Sequence, residues 1–181
     1  VDGPVDHLTA MPVLVEWMAN NLRGELVVVS PDAGRVKVAE RYANLLHANI
    51  AIVHKRRVRG VKNAVEAKDV VGEVEGKTCV LIDDMIDTGG TLVAAAEQLA
   101  ERGAASVYAA ATHGVFSGPA IDRIKNSVLE KVVITNTLPL PPEKQIDKIE
   151  VLSAAGIIAD AIDAVFEDTS VSDIFDGQNQ H

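Results

Sequence analysis

The chain has 181 residues, 48% hydrophobic and 3% aromatic, so a compact domain must build its core from Val, Ile, Leu and Ala. A formal charge of −9 without a basic run excludes a duplex-binding surface, and no apolar stretch approaches the roughly 18 residues of a membrane span, so neither nucleic acid nor membrane is an expected partner. The one cysteine, Cys79, cannot form an internal disulfide; its apolar neighbours make it a small buried hydrophobe, and a cytoplasmic setting is the simplest.

Residues 1–12 have no signal-peptide layout and no initiating Met, so the chain is expected to begin partway through a longer protein. Residues 13–23 then read as a helix, with Leu14, Met18 and Leu22 four apart and Gly24 as its stop. A strand at 26–30 leads through a turn into a helix at 36–47, where Val38, Tyr42, Leu45 and Leu46 lie near one face. After a strand at 50–54, the charge-rich stretch 56–76 interrupts the pattern; its Val-x-Val spacing suggests a strand pair or a mobile loop. Strands at 78–82, 107–112, 132–135 and 150–153 alternate with helices at 91–102, 119–125 and 154–166. Pro139, Pro141 and Pro142 mark a loop, and 169–181 reads as a polar peripheral tail. Continuously apolar strands alternating with helices predict an α/β fold, a mostly parallel sheet flanked by helices.

The strongest functional signal runs from Val80 to Thr91. An apolar strand ends at Asp83 and Asp84, and a turn through Asp87, Thr88, Gly89, Gly90 and Thr91 opens a helix. Ligands of open α/β sheets bind at this end of the strands. Gly89 and Gly90 let backbone N–H groups and the positive helix end approach an anion, Thr88 and Thr91 add hydroxyls, and the carboxylates can accept from two vicinal sugar hydroxyls. The combination suits a sugar phosphate better than an ordinary strand–turn–helix joint. A second loop, Ser30-Pro31-Asp32-Ala33-Gly34-Arg35, also joins a strand to a helix. Asp32 there either holds Mg²⁺ or caps the helix, and the residues alone leave both open. The amides of Ala33, Gly34 and Arg35 are placed to meet diphosphate oxygens. Lys55 and Arg57 follow the 50–54 strand at a spacing that puts both on one face of an extended chain, where cations lower the barrier to phosphoryl transfer. A solvated basic strand end is the alternative.

The Asp83–Thr91 segment resembles the motif with which phosphoribosyltransferases and pyrophosphokinases bind phosphoribosyl diphosphate. The wider set resembles the ribose-phosphate pyrophosphokinase family: Val5-Asp6-His7-Leu8, Ser30 to Gly34, His54-Lys55-Arg56-Arg57, Asp83 to Thr91, Ala111-Thr112-His113-Gly114, Thr135-Asn136-Thr137-Leu138-Pro139 and Ser170 to Phe175. The match keeps this order along nearly the whole chain.

That resemblance implies a type I phosphoribosyltransferase-like fold over residues 1–168, followed by a regulatory-loop-like segment and polar tail at 169–181. It implies transfer of the β,γ-diphosphoryl group of Mg·ATP to the anomeric hydroxyl of ribose 5-phosphate. Lys55 would be the catalytic lysine, with Arg57 assisting and touching ribose 5-phosphate. Asp83, Asp84, Asp87, Thr88, Gly89, Gly90 and Thr91 would bind that sugar phosphate. Asp32, Ala33, Gly34 and Arg35 would line the diphosphate site, with Asp32 a ligand of the Mg²⁺ cofactor. Residues 56–68 would be a mobile catalytic loop. Ser170, Val171, Ser172 and Phe175 would respond to phosphate and ADP, in a homo-oligomer that family resemblance makes a hexamer.

The chain departs from the family in two ways. Members have two similar α/β halves, and this sequence corresponds to the carboxy-terminal one; the half that grips adenine and supplies a histidine magnesium ligand is not in it. The chain alone is therefore expected to be inactive. Arg35 also stands where many relatives have a second Gly. Of the rival readings, a phosphoribosyltransferase needs a base-recognition hood that no segment supplies. A non-catalytic regulatory homologue does not need Lys55, Arg57 and a complete Asp83–Thr91 loop.

Overall fold

The computed structural model describes residues 5–56 and 67–175. In chain order these form α1 (Met11–Asn21), β1 (Leu26–Ser30), α2 (Val36–Leu46), β2 (Asn49–Arg56), β3 (Ala67–Val71), β4 (Thr78–Ile86), α3 (Gly90–Glu101), β5 (Ser106–Gly114), α4 (Ala120–Lys125), β6 (Lys131–Thr135), β7 (Ile149–Leu152) and α5 (Ala155–Phe166). Short 3-10 turns cover Ala33–Arg35, Pro142–Lys144 and Val171–Phe175. Seven strands make one sheet in the order β3-β2-β1-β4-β5-β6-β7. All neighbours are parallel except β2 and β3. The chain reverses its direction of travel across the sheet between β1 and β4, which is where such folds place their ligands.

Alternation along the strands fills both faces. Val27, Val29, Cys79 and Leu81 pack beneath α3 and α4 with Leu92, Leu99 and Ile124; Val28, Val80 and Ile82 pack on the other face with Leu14, Met18 and Tyr42 of α1 and α2. Each large side chain sealed this way contributes roughly 1.5–3 kcal/mol. Cys79 sits in this core, and burial raises its thiol to about 11, in keeping with an inert hydrophobe. Trp17 reaches across from α1, where its indole N–H donates to Glu150 Oε1 at 2.7 Å, while Lys131 Nζ donates to Oε2 of the same carboxylate at 2.7 Å. Helix α5 exposes the apolar side chains of Ile158, Ile162, Val165 and Phe166. Among the described residues, no helix is long and apolar enough to cross a membrane.

Several sequence-based bounds shift. Helix α1 starts at Met11 and takes Pro12 into its first turn, where the missing N–H costs nothing. Within the irregular stretch 56–76, Ala67–Val71 is an antiparallel edge strand on β2. The tail is not simply polar and peripheral: Val171 and Phe175 are buried against Ile157 and Ala164 of α5. The most consequential change is at β4, which runs on through Asp83 and Asp84 to Ile86 instead of ending before them.

Candidate functional site

Because Asp83 and Asp84 are strand residues, successive side chains must face opposite sides of the sheet. Asp83 opens on the α3 side, into a cavity of about 160 Å³ lined also by Met85, Ile86, Asp87, Thr88, Gly89, Gly90, Thr91 and Leu92. Asp84 is not part of that lining. Its Oδ1 accepts from Met85 N at 2.9 Å, and its Oδ2 accepts a short bond from Arg35 Nη2. Arg35 Nε stands 3.5 Å from Asp83 Oδ1, which also accepts from Asp84 N at 2.9 Å.

The loop after β4 is held open by its surroundings. Ile86 O accepts from Val115 N and Phe116 N, both at 3.0 Å, and Asp87 O accepts from Ser117 N at 3.1 Å. Gly89 has φ +70, a conformation in which a Cβ is strained, and it caps α3. The first N–H groups of α3 have no partner within the helix and give the cavity donors and a positive end. The cavity thus joins backbone donors and two threonines at one end to a carboxylate at the other, a match for a phosphate carried on a polyol.

Sequence reasoning missed Arg123. From α4 it donates through Nη1 to Thr88 O at 2.9 Å, and the same nitrogen would lie 3.2 Å from a Cβ at Gly90. It braces the loop from outside. The 35-residue gap from Thr88 leaves no local signal of this contact. His113 was likewise given no role; its Nδ1 lies 2.8 Å from Thr137 Oγ1 at the ends of β5 and β6.

On the neighbouring strand, the loop after β1 closes on itself. Ser30 Oγ donates to Asp32 O at 2.6 Å, and Asp32 Oδ1 accepts from Gly34 N at 2.7 Å, capping the 3-10 turn. A Cβ at Gly34 would press to 3.1 Å of that oxygen. Of the three amides expected to meet a diphosphate, Gly34's is therefore engaged by the Asp32 side chain, Ala33's opens the turn and Arg35's lies at its end. Asp32 is exposed and keeps a second carboxylate oxygen. Among the described residues no cluster of three or more His, Cys, Asp or Glu is built to hold a metal. A Mg²⁺ ion held by one carboxylate and by substrate phosphates is the arrangement this donor set fits.

Electrostatics separate the two acids. Burial, then the neighbouring Asp84, pushes Asp83 up to about 6. Burial also acts upward on Asp84, but its hydrogen bonds from Asp83 and Arg35 outweigh it and hold this carboxyl below the usual range. Lys55 lies near the end of β2, opposite Lys68 of β3, on the strand adjoining β1. Arg57 and most of the expected catalytic loop lie outside the described residues. Of the expected regulatory set, Ser170 is exposed and Ser172 half-buried, but Val171 and Phe175 are buried against α5.

A family model described as the phosphoribosyl synthetase-associated domain matches residues 59–176. The chain belongs to this family. It is 56% identical over 178 residues to the ribose-phosphate pyrophosphokinase of Streptomyces avermitilis, covering 98% of this chain and 55% of that protein. To the enzyme of the same name from Bifidobacterium longum it is 52% identical, over 99% of this chain and 54% of the relative. Among solved structures it resembles phosphoribosylpyrophosphate synthetase from Mycobacterium smegmatis, with TM-score 0.81 and 45% identity over 92% of this chain and 54% of that one. An adenine phosphoribosyltransferase shares the fold at TM-score 0.50 and 15% identity, over 66% of this chain and 74% of the other. The type I phosphoribosyltransferase-like fold and the resemblance expected from the motifs are both borne out. The chain spans about half the length of the curated relatives it matches.

Proposed function

We propose that the chain carries the ribose 5-phosphate and diphosphate sites of a ribose-phosphate pyrophosphokinase. The observation that supports this most directly is the cavity in which Asp83 faces the amides and hydroxyls of Thr88–Thr91, beside the Asp32–Arg35 turn. The phosphate of ribose 5-phosphate sits at the start of α3, and its ring hydroxyls donate to Asp83. The sugar's hydroxyl edge then faces β1, where the 32–35 turn takes the diphosphoryl group. The anomeric oxygen attacks the β-phosphorus of ATP, the bond from that phosphorus to the α-phosphate oxygen breaks, and AMP leaves while the hydroxyl proton is lost. Phosphoribosyl diphosphate is the product. Mg²⁺ held at Asp32, when bound, neutralises the triphosphate. Lys55, from the strand next to β1, and Arg57 stabilise charge on the oxygens in transfer. Catalysis rests on position and electrostatics, not on a covalent intermediate.

Calorimetric titration of ribose 5-phosphate into wild type and Asp83→Ala tests the sugar site. Loss of binding in the variant, and weaker binding in the Thr88→Val/Thr91→Val pair, is the expected result; unchanged affinity in Asp83→Ala removes that residue from the site. Phosphate and ADP acting at Ser170 and Ser172, a cytoplasmic location and self-association belong to the same reading. The exposed apolar face of α5 supports self-association, and sedimentation velocity measures it.

A further inference from the structure

We infer that Arg35 is a positioning residue that couples the two substrate loops by shielding the Asp83–Asp84 pair from an anion bound at the 32–35 turn. The inference rests on the assignment of those loops to a sugar phosphate and a diphosphate. Three observations carry it. Asp84 points away from the sugar cavity, and its Oδ1 and Oδ2 are taken by Met85 N and Arg35 Nη2. It therefore anchors Arg35 and is not a sugar acceptor. Arg35 directs Nε and Nη2 at the two carboxylates, with Nε 3.5 Å from Asp83, while its own backbone ends the turn that would receive the diphosphate. One guanidinium therefore stands where the two anionic sites meet.

The reaction needs both sites filled together. A diphosphate on the 32–35 turn adds its charge beside two adjacent carboxylates, one of which must stay ionised to accept from the sugar. Like charges this close, in a setting only partly open to water, oppose each other's binding. A fixed guanidinium between them cancels much of that repulsion, and its planar fork holds both acids at once. Arg35 thus acts through Asp83, and its removal shows most when both ligands are present.

The test is calorimetry on the chain at pH 8 in EDTA, so that no divalent cation supplies the missing charge. Ribose 5-phosphate is titrated with and without saturating inorganic pyrophosphate, in wild type, Arg35→Met and Arg35→Lys. In wild type, pyrophosphate is expected to change ribose 5-phosphate affinity less than about twofold. In Arg35→Met it should weaken that affinity about tenfold, a coupling of ordinary size between two sites. Arg35→Lys should restore most of the wild-type response, which a purely structural role would not predict. Arg35→Gln repeats the test if Arg35→Met fails to fold. The same pyrophosphate response in the neutral variant and in wild type overturns the inference, as does wild type that binds ribose 5-phosphate but not pyrophosphate. Wild type that binds no ribose 5-phosphate overturns the sugar-site reading, and this inference with it.

Discussion

Replacing Asp83 with Asn should make the protein more stable at neutral pH while weakening its sugar site. Asp83 is held up near 6, against an ordinary 3.8, first by burial and then by Asp84. A carboxyl whose folded pKa is raised costs nothing below its unfolded pKa; its penalty grows as pH rises from the unfolded value to the folded one and is complete above it. Taken alone, the rise is worth roughly 3 kcal/mol above pH 6. The Asp83 side chain is only partly buried, so solvent screening reduces this to ~1–2 kcal/mol. In a chain of this size, that is about 3–6 °C in Tm. Asn keeps an oxygen for the 2.9 Å bond from Asp84 N, so the geometry survives. Thermal melts of wild type and Asp83→Asn from pH 4 to 8 should coincide near pH 4, separate between pH 4 and 6 and keep a constant gap above that, with the variant melting higher. Equal melting at pH 8, or a gap independent of pH, would refute the reasoning. The same raised carboxyl predicts that ribose 5-phosphate affinity falls as pH drops below 6. The substrate phosphate also titrates near 6, so the ratio of wild-type to Asp83→Asn affinity isolates the protein's share.

Gly89→Ala places a Cβ at φ +70 and should cost about 1–2 kcal/mol in denaturant melts, with a matching loss of ribose 5-phosphate affinity. Arg123→Met removes the 2.9 Å bond to Thr88 O and should weaken ribose 5-phosphate several-fold in calorimetry while lowering Tm by only a few degrees. Lys55→Ala, assayed in enzyme that releases AMP, should lower kcat about 10²-fold and leave the KM for ribose 5-phosphate nearly unchanged, the pattern of a contact made in the transition state.

The central sheet was legible because its strands are covered on both faces: runs such as Leu26–Ser30 and Thr78–Ile82 are continuously apolar for that reason. The strand ends were not legible. Residues 83–86 of β4 keep pairing with β5, Asp83 with Ala111 and Met85 with His113, yet Asp83 and Asp84 are only half-buried and Met85 is exposed. Hydrophobic pattern stops where burial stops, whereas backbone pairing continues. Edge strand β3 was ambiguous for a similar reason, since only Val70 of its last residues is deeply buried. The loop motif at Asp83–Thr91 could be read because all its parts are contiguous; Arg123 and the Arg35 contact are folded-state neighbours with no sequence proximity.

The position of the β4 boundary changes the chemistry assigned to the acidic pair. If the strand stopped at Ile82, both carboxylates would lie on a turn and could accept from the sugar together. With the strand running to Ile86, alternation gives them different neighbours: Asp83 lines the cavity, and Asp84 takes the closer contact with Arg35. Two acids that look equivalent in sequence then divide the work, one raised and facing the ligand, the other lowered and tied to the opposing loop. The division follows from strand alternation together with the place of Arg35 beside both acids. It explains why a cation at position 35 has a partner already in place, and why that partner belongs to the neighbouring loop and not to its own.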